Sequence, residues 1–259
     1  MVDAHAHIND ERLYPIYEEV IRNAEDNGVK YIVVPGWDIA SSKKAIEIAE
    51  HFPFVYAAIG IHPENVYDAR DGYLDILREL AKNKKVVSIG EIGLDYHYTK
   101  ETMDIQKKIF LEQLSLAEEL NLPVEIHLRD ATGDFMDIIR EYMKTHKRRD
   151  NIGIMHSYSE SKEIMEELLS YGFYISLSGP ITFKNARIQK EVGTSVPLDR
   201  LLTETDSPYL SPTPLRGTMN EPKNIPYILK EIALLKGINE TIIEKTTEDN
   251  FKKVFGLRG

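Results

Sequence analysis

The sequence predicts a closed (β/α)8 barrel of the TIM type, and three observations carry that expectation. Short runs rich in apolar and β-branched residues recur eight times along the 259 residues. Stretches with apolar residues at helical spacing lie between them, the pattern of successive βαβ units. The strand-like runs start roughly 20 to 37 residues apart, and about 250 residues is the usual size of the closed form. An open doubly wound sheet is the alternative. Its dinucleotide-binding version has no support, because no G-x-G-x-x-G follows the first run.

The first run, "MVDAHAHI", alternates in character. In an extended strand Asp3, His5 and His7 share one face, with Val2, Ala4, Ala6 and Ile8 on the other. "KYIVVPGW" and "VYAAIGIH" read as strands two and three, separated by the helical "SKKAIEIAEHF". "YLDILRELAKNKK" is a helix leading to the fourth strand, "VVSIGEIGL". The clearest helix is "DIQKKIFLEQLSLAEELN", where Ile105, Ile109, Leu111, Leu114, Leu116, Ala117 and Leu120 form a broad apolar stripe. Then come the strand "PVEIHLR", the helix "GDFMDIIREYMKTHK", the strand "IGIMHSY", the helix "SKEIMEELLSYG" and the strands "GFYISLSG" and "LLTETDSP". The segment "YLSPTPLRGTMNEPKNIP" follows. With Pro208 it holds five of the twelve prolines, a density that resists helix and strand alike. A long irregular loop leaving the last strand is expected to sit over the barrel mouth, where such loops carry function. "IPYILKEIALLKG" and "NETIIEKTTEDNFKKVF" read as closing helices. No low-complexity stretch or charged linker divides the chain, so residues 1–259 are expected to form one domain.

Composition narrows the chemistry. A chain with 42% hydrophobic and 29% charged residues is an ordinary globular protein. The absence of cysteine excludes disulfides, thiolate metal sites and cysteine nucleophiles. Neither a secretory signal nor a run approaching the roughly 20 apolar residues of a membrane span is present, so a cytoplasmic protein without membrane association is expected. A net charge of −10 disfavours loose binding to nucleic acid but leaves room for a local groove built with metal ions.

The polar residues of the strands then converge. His5 and His7 lie near the end of the first strand, His62 ends the third, Glu91 lies late in the fourth, His127 late in the fifth, His156 late in the sixth and Asp206 at the end of the eighth. The C-terminal ends of barrel strands are where catalytic groups gather. His51, His97 and His146 have no partner at suggestive spacing and read as ordinary hydrogen-bonded residues, and His62 alone would read the same way. As a group the others need more. Burying an ion costs several kcal/mol even after relaxation, against a whole-fold stability of about 5–15 kcal/mol. Two carboxylates and four imidazoles in one barrel mouth call for divalent cations, whose ligands these are. Six ligands exceed what one open tetrahedral site needs and suit two ions with Glu91 as the bridge. Asp3 reads either as a group orienting a histidine or as a structural residue.

The blocks "VDAHAHIN", "GIHP", "GEIGLDYH", "LPVEIHLRDA", "SGPITFKNA", "LLTETDSPYLSP", "RGTMNEP" and "TTEDNFKKVFG", in this order along nearly the whole chain, resemble the TatD family of metal-dependent deoxyribonucleases among the amidohydrolase-like barrels. The resemblance implies phosphodiester hydrolysis, exonucleolytic on DNA and in some members RNA, with His5, His7, Glu91, His127, His156 and Asp206 as metal ligands. Two departures stand out: Glu160 in "HSYSES" replaces a usual glycine, and Met219 in "RGTMNEP" replaces a frequent arginine.

The expected reaction is attack of a metal-activated water on phosphorus, with Glu91 bridging two ions and Asp206 serving as ligand and proton acceptor. Arg129, Lys184, Arg216 and His62 are candidate substrate contacts. Tyr96, Tyr98, Tyr158, Phe183 and Tyr209 are candidate stacking surfaces for single-stranded bases. The basic run "KTHKRR" at 144–149 reads as a solvated helix end. Zn²⁺, Mn²⁺, Mg²⁺, Co²⁺ or Ni²⁺ all suit the ligands. A binuclear hydrolase of a small-molecule ester, amide or phosphoester is the second reading, and a noncatalytic protein with structural metals the third. A monomer without an obligate protein partner, acting on single-stranded DNA, is expected.

Overall fold

In the computed structural model, which describes residues 1–98, 100–145 and 151–257, eight parallel strands stand in the sheet in their sequence order. They are β1 (Val2–Asp3), β2 (Tyr31–Pro35), β3 (Val55–Ile59), β4 (Val86–Asp95), β5 (Val124–Arg129), β6 (Gly153–Met155), β7 (Phe173–Leu177) and β8 (Leu201–Thr203). The ring closes where Ala4 N–H donates to Thr203 O at 2.9 Å and Thr203 Oγ1 donates to Val2 O at 2.9 Å. All eight expected strands are present in a (β/α)8 barrel.

The helices are α1 (Tyr17–Asp26), α2 (Ile39–His51), α3 (Tyr73–Leu80), α4 (Met103–Leu120), α5 (Thr132–Thr145), α6 (Lys162–Tyr171), α7 (Arg187–Ser195), α8 (Ile225–Lys236) and α9 (Glu240–Val254). Neither α1 nor α7 was expected from the pattern. The first buries only Val20, Ile21 and Ala24, the second only Val192 and Gly193, too few apolar positions for a clear period. In α4 the expected stripe is partly wrong: Leu111 is 44% exposed, while Gln106 and Gln113 are buried among Ile109, Phe110, Leu114 and Ala117. The run at 144–149 and His146 lie, from residue 146 on, outside the described residues.

The barrel interior is layered. At its lower end Val2, Ala4, Val33, Ala58, Val87, Ile154, Tyr174 and Leu202 pack against Phe251, Val254 and Phe255, so α9 closes the bottom. Above this apolar floor Ser88, Glu125, Ser176 and Glu204 are all fully buried. The histidines and carboxylates of the mouth form the layer above. Outward-facing strand residues such as Ile32, Ile59, Ile89, Ile126 and Ile175 pack under the helices in a separate core.

The first strand departs from simple alternation. Its ladder ends at Asp3, and Val2 and Ala4 face the interior while Ala6 and Ile8 join the outer core. The period of two therefore slips by one residue between Ala4 and His5, just past the last ladder pair. His5 and His7 point into the mouth, but Asp3 does not share their face. It accepts from Thr205 N–H at 2.8 Å and Thr205 Oγ1 at 2.5 Å, tying β1 to the segment after β8. Of the two readings of Asp3, the structural one is correct.

Candidate metal centre

His5 and His7 follow β1 in a segment pinned on both sides: Ala6 N–H donates to Val33 O, His7 N–H to Ser207 O, and Asp206 N–H to His5 O. Glu91 comes from the middle of β4, a strand of ten residues buried along its whole length. Its approach requires Gly90, because a Cβ there would lie 2.5 Å from that of Glu125 on β5. Asp206 follows β8 with φ at 57°, a left-handed conformation that Asp and Asn tolerate best among residues with a side chain.

These elements bring the six expected residues to one place. His5 Nε2 lies 3.2 Å from His7 Nε2 and 3.4 Å from Glu91 Oε2. His7 Nε2 is 3.4 Å from the same oxygen and 3.5 Å from Asp206 Oδ1. The other carboxylate oxygen, Glu91 Oε1, is 2.8 Å from His127 Nδ1 and 3.4 Å from His156 Nε2. Glu91 thus faces one pair of imidazoles with each oxygen. Among the described residues, His5–His7–Asp206, His5–Glu91–His156 and His62–Glu91–His127 each place three ligand atoms within 4.8 Å of one another.

Three further carboxylates decide which ring nitrogens carry protons. His5 Nδ1–H donates to Glu125 Oε2 at 3.0 Å, His127 Nε2–H to Asp95 Oδ2 at 2.8 Å, and His156 Nδ1–H to Glu204 Oε1 at 2.9 Å. The opposite nitrogen of each ring, facing Glu91, is then the one with a lone pair to give. Lone pairs converging on lone pairs repel unless a cation sits between them. Two ligands about 2.1 Å from a common ion, at tetrahedral to right angles, lie roughly 3.0–3.4 Å apart, close to the spacings here. The donor set fits a divalent metal. The sequence reading missed Glu125, Asp95 and Glu204, although a charged residue inside the apolar runs "PVEIHLR" and "LLTETDSP" was a usable signal.

His62 differs. Its Nδ1 accepts from Glu64 N–H at 3.1 Å, so its proton sits on Nε2, 3.4 Å from Glu91 Oε1. It is an N–H donor aimed at the cluster rather than a ligand.

In the metal-free protein the charges are redistributed. Burial works against a charged His5, but the Glu91 charge and the Glu125 hydrogen bond prevail and hold it well above the usual range. Burial likewise opposes charge on His127, yet Asp95 and Glu91 raise it to about 9. Burial and the His5 charge depress His156 to about 3, and burial lifts Glu204 to about 7 and Asp206 above its ordinary value. Binding a metal must therefore displace the protons of His5 and His127 at neutral pH. Affinity should fall as pH drops below about 9, and uptake should release about two protons per molecule. Calorimetry in buffers of different ionisation enthalpy measures that number, and a value of zero would contradict this geometry.

Above the centre opens a cavity of about 720 Å³. Arg129 lines it, as do Trp37, Tyr98, Ser157, Ser178 and Tyr209. Lys184 and Arg216 do not: both are exposed, and Arg216 lies over the Phe183 ring at 4.1 Å. Tyr96 and Tyr158 are buried packing residues, whereas Tyr98 and Tyr209 are 70% and 46% exposed at the rim. Trp37, which the sequence reading passed over, lies 5.6 Å from the His7 ring. Neither departure from the family pattern lines the cavity. Glu160 accepts from Thr132 Oγ1 at 2.6 Å and Met219 is exposed. The proline-rich loop does reach the mouth through Tyr209 and Leu210, and it is clasped by buried Asn220, which donates to Thr205 O and Tyr209 O. Among the described residues no helix is long and apolar enough to cross a membrane.

Comparison with known proteins points to a metal-dependent hydrolase. The chain is 44% identical over 258 residues to an uncharacterised metal-dependent hydrolase of Bacillus subtilis, YabD, covering 99% of both. It is 30% identical over 93% of each chain to a protein of Escherichia fergusonii named as the 3′-5′ ssDNA/RNA exonuclease TatD. The crystal structure of YjjV, a TatD homologue of Escherichia coli, superposes with a TM-score of 0.91 at 27% identity, over 100% of this chain and 98% of that one. A model of TatD-related DNases matches residues 2–256, and the chain belongs to that family of metal-dependent hydrolases.

Proposed function

We propose that the protein is a two-metal exonuclease that removes nucleotides from the 3′ end of single-stranded DNA. The observation that carries this reading is Glu91, whose two oxygens face separate groups of imidazoles. His5, His7, Glu91 and Asp206 would hold one ion, and Glu91, His127 and His156 the other. When bound, two such ions activate a water and stabilise charge on the attacking and leaving oxygens.

The chain's own residues do the rest. Glu125, Asp95 and Glu204 keep the ligand nitrogens unprotonated and the rings oriented. Asp206 turns Oδ1 to the histidines, leaving Oδ2 to take the proton of the attacking water. His62 Nε2–H donates to a non-bridging phosphate oxygen, and Arg129 adds charge to the same group. A cavity of about 720 Å³ is in the range of a small-molecule pocket and admits a chain end but not a duplex. Trp37, Tyr98 and Tyr209 offer flat surfaces for unpaired bases. The 3′ polarity is taken from the E. fergusonii relative.

One observation favours a small-molecule phosphoester or other ester instead: among the described lining residues Arg129 is the one arginine or lysine, beside Asp10 and Glu64. Rates on an end-labelled single strand, the same strand in a duplex, and a chromogenic phosphodiester decide. Shortening of the single strand from its 3′ end, much faster than of the duplex, is expected. Hydrolysis of the chromogenic ester alone would overturn the nuclease reading.

A further inference from the structure

The strand ends that carry the site leave the β-ladder, and their backbone groups need other partners. β3 ends at Ile59, yet Ile61, two residues on and next to His62, is buried. Its N–H donates to Gln113 Oε1 at 2.7 Å, and Gln113 Nε2 donates back to Ile61 O at 3.0 Å. Asp95, the last residue of β4, is held in the same way one level along the same helix. Its N–H donates to Gln106 Oε1 at 2.9 Å and its carbonyl accepts from Gln106 Nε2 at 2.8 Å. Gln106 and Gln113 are seven residues apart, two turns of α4, and therefore stand on one face. They are 2% and 0% exposed, in a face whose other members are apolar.

A buried primary amide in an apolar helix face is costly unless it is hydrogen-bonded, and here each amide clasps the N–H and carbonyl of one strand-end residue, Gln106 also donating to Thr102 Oγ1 at 3.0 Å. A helix that only needed to pack would carry leucine at both positions. The two amides serve different parts of the centre. Gln106 fixes Asp95, whose Oδ2 accepts from His127 Nε2 and so aims His127 Nδ1 at Glu91 Oε1. Gln113 fixes the residue before His62, whose Nε2–H points into the cluster.

We propose that Gln106 and Gln113 are positioning residues with separable tasks, Gln106 for the metal ion that His127 would hold and Gln113 for the His62 proton that meets the substrate phosphate. This rests on the two-metal reading. The helix sets the spacing between the two strand ends as a rigid gauge. Neither residue touches metal or substrate.

The test uses Gln106→Leu and Gln113→Leu, with the Glu variants beside them. A glutamate at either place keeps an acceptor for the backbone N–H and can donate to the carbonyl only in the protonated form that burial favours, so it should give an intermediate effect. Metal titration of the stripped proteins with Mn²⁺, binding of inorganic phosphate to the loaded proteins, and steady-state kinetics are read well below the melting temperature of each variant. Gln106→Leu should weaken one of two Mn²⁺ sites by about 10- to 100-fold and leave the other unchanged. Gln113→Leu should bind both ions as before while phosphate affinity and kcat/KM fall about 10-fold, the loss of one charge-assisted hydrogen bond. Equal weakening of both metal sites in both variants, or unchanged binding with only a lower melting temperature, would overturn the assignment and leave the amides as packing. Should the wild-type protein bind two ions and phosphate yet cleave no nucleic acid, the nuclease reading fails while both binding measurements still judge the two glutamines.

Discussion

Replacing Glu91 by Gln is expected to remove both hydrolysis and half or more of the bound metal, with activity falling by about 10³-fold or more. Glu91 is 2% exposed, and five imidazoles surround its two oxygens, those of His5, His7, His62, His127 and His156. Burial opposes its charge, but His62, His156 and His5 around it drive its pKa well below the usual carboxylate range, so it is a full anion where the ions would sit. Glutamine keeps the shape and substitutes an NH2 for one oxygen. That end becomes a donor with no lone pair, facing nitrogens that need a cation between them. One cluster of ligands is lost outright and the other loses its negative charge. Metal analysis of the purified variant beside its rate checks this. Full loading with full activity would show that Glu91 is not the bridge.

Asp206→Asn separates a ligand from a base. Asparagine tolerates the left-handed backbone at φ 57° as well as aspartate does, and it keeps an oxygen that can face His7 and His5. What it cannot do is accept a proton. The rate should fall about 10²- to 10⁴-fold, the range of a lost general base, while most of the metal stays bound. A loss of activity matched step for step by loss of metal, and restored by excess metal, would leave Asp206 as a ligand only.

The sequence made the barrel legible because eight strands and most helices kept clean periods, and it made the six clustered residues legible because they fall toward the same end of five different strands, His5 and His7 sharing the first. What it hid follows from local physics. Strict alternation put Asp3 with His5 and His7, but the slip after Ala4 turned it toward Thr205, and no pattern of two announces where a ladder will end. Glu125 and Glu204 share a face with His127 and Asp206 two residues on, but they lie one layer deeper in the barrel, below the strand ends to which the sequence reading assigned the site. Lys184 and Arg216 were placed at the site by their neighbours in sequence, yet loop geometry turned them to the surface. Gln106 and Gln113 broke the helical stripe where backbone pairing rather than apolar packing fills the face.

The decisive experiment is a titration of metal-stripped protein with Mn²⁺ while mononucleotide release from a single-stranded oligonucleotide is followed, with Glu91→Gln as the control for contaminating nuclease. A two-metal centre bridged by Glu91 should stay nearly silent through the first equivalent, gain activity across the second, and give none with the variant at any metal level. Full activity at one equivalent, or equal cleavage by the variant, would contradict it.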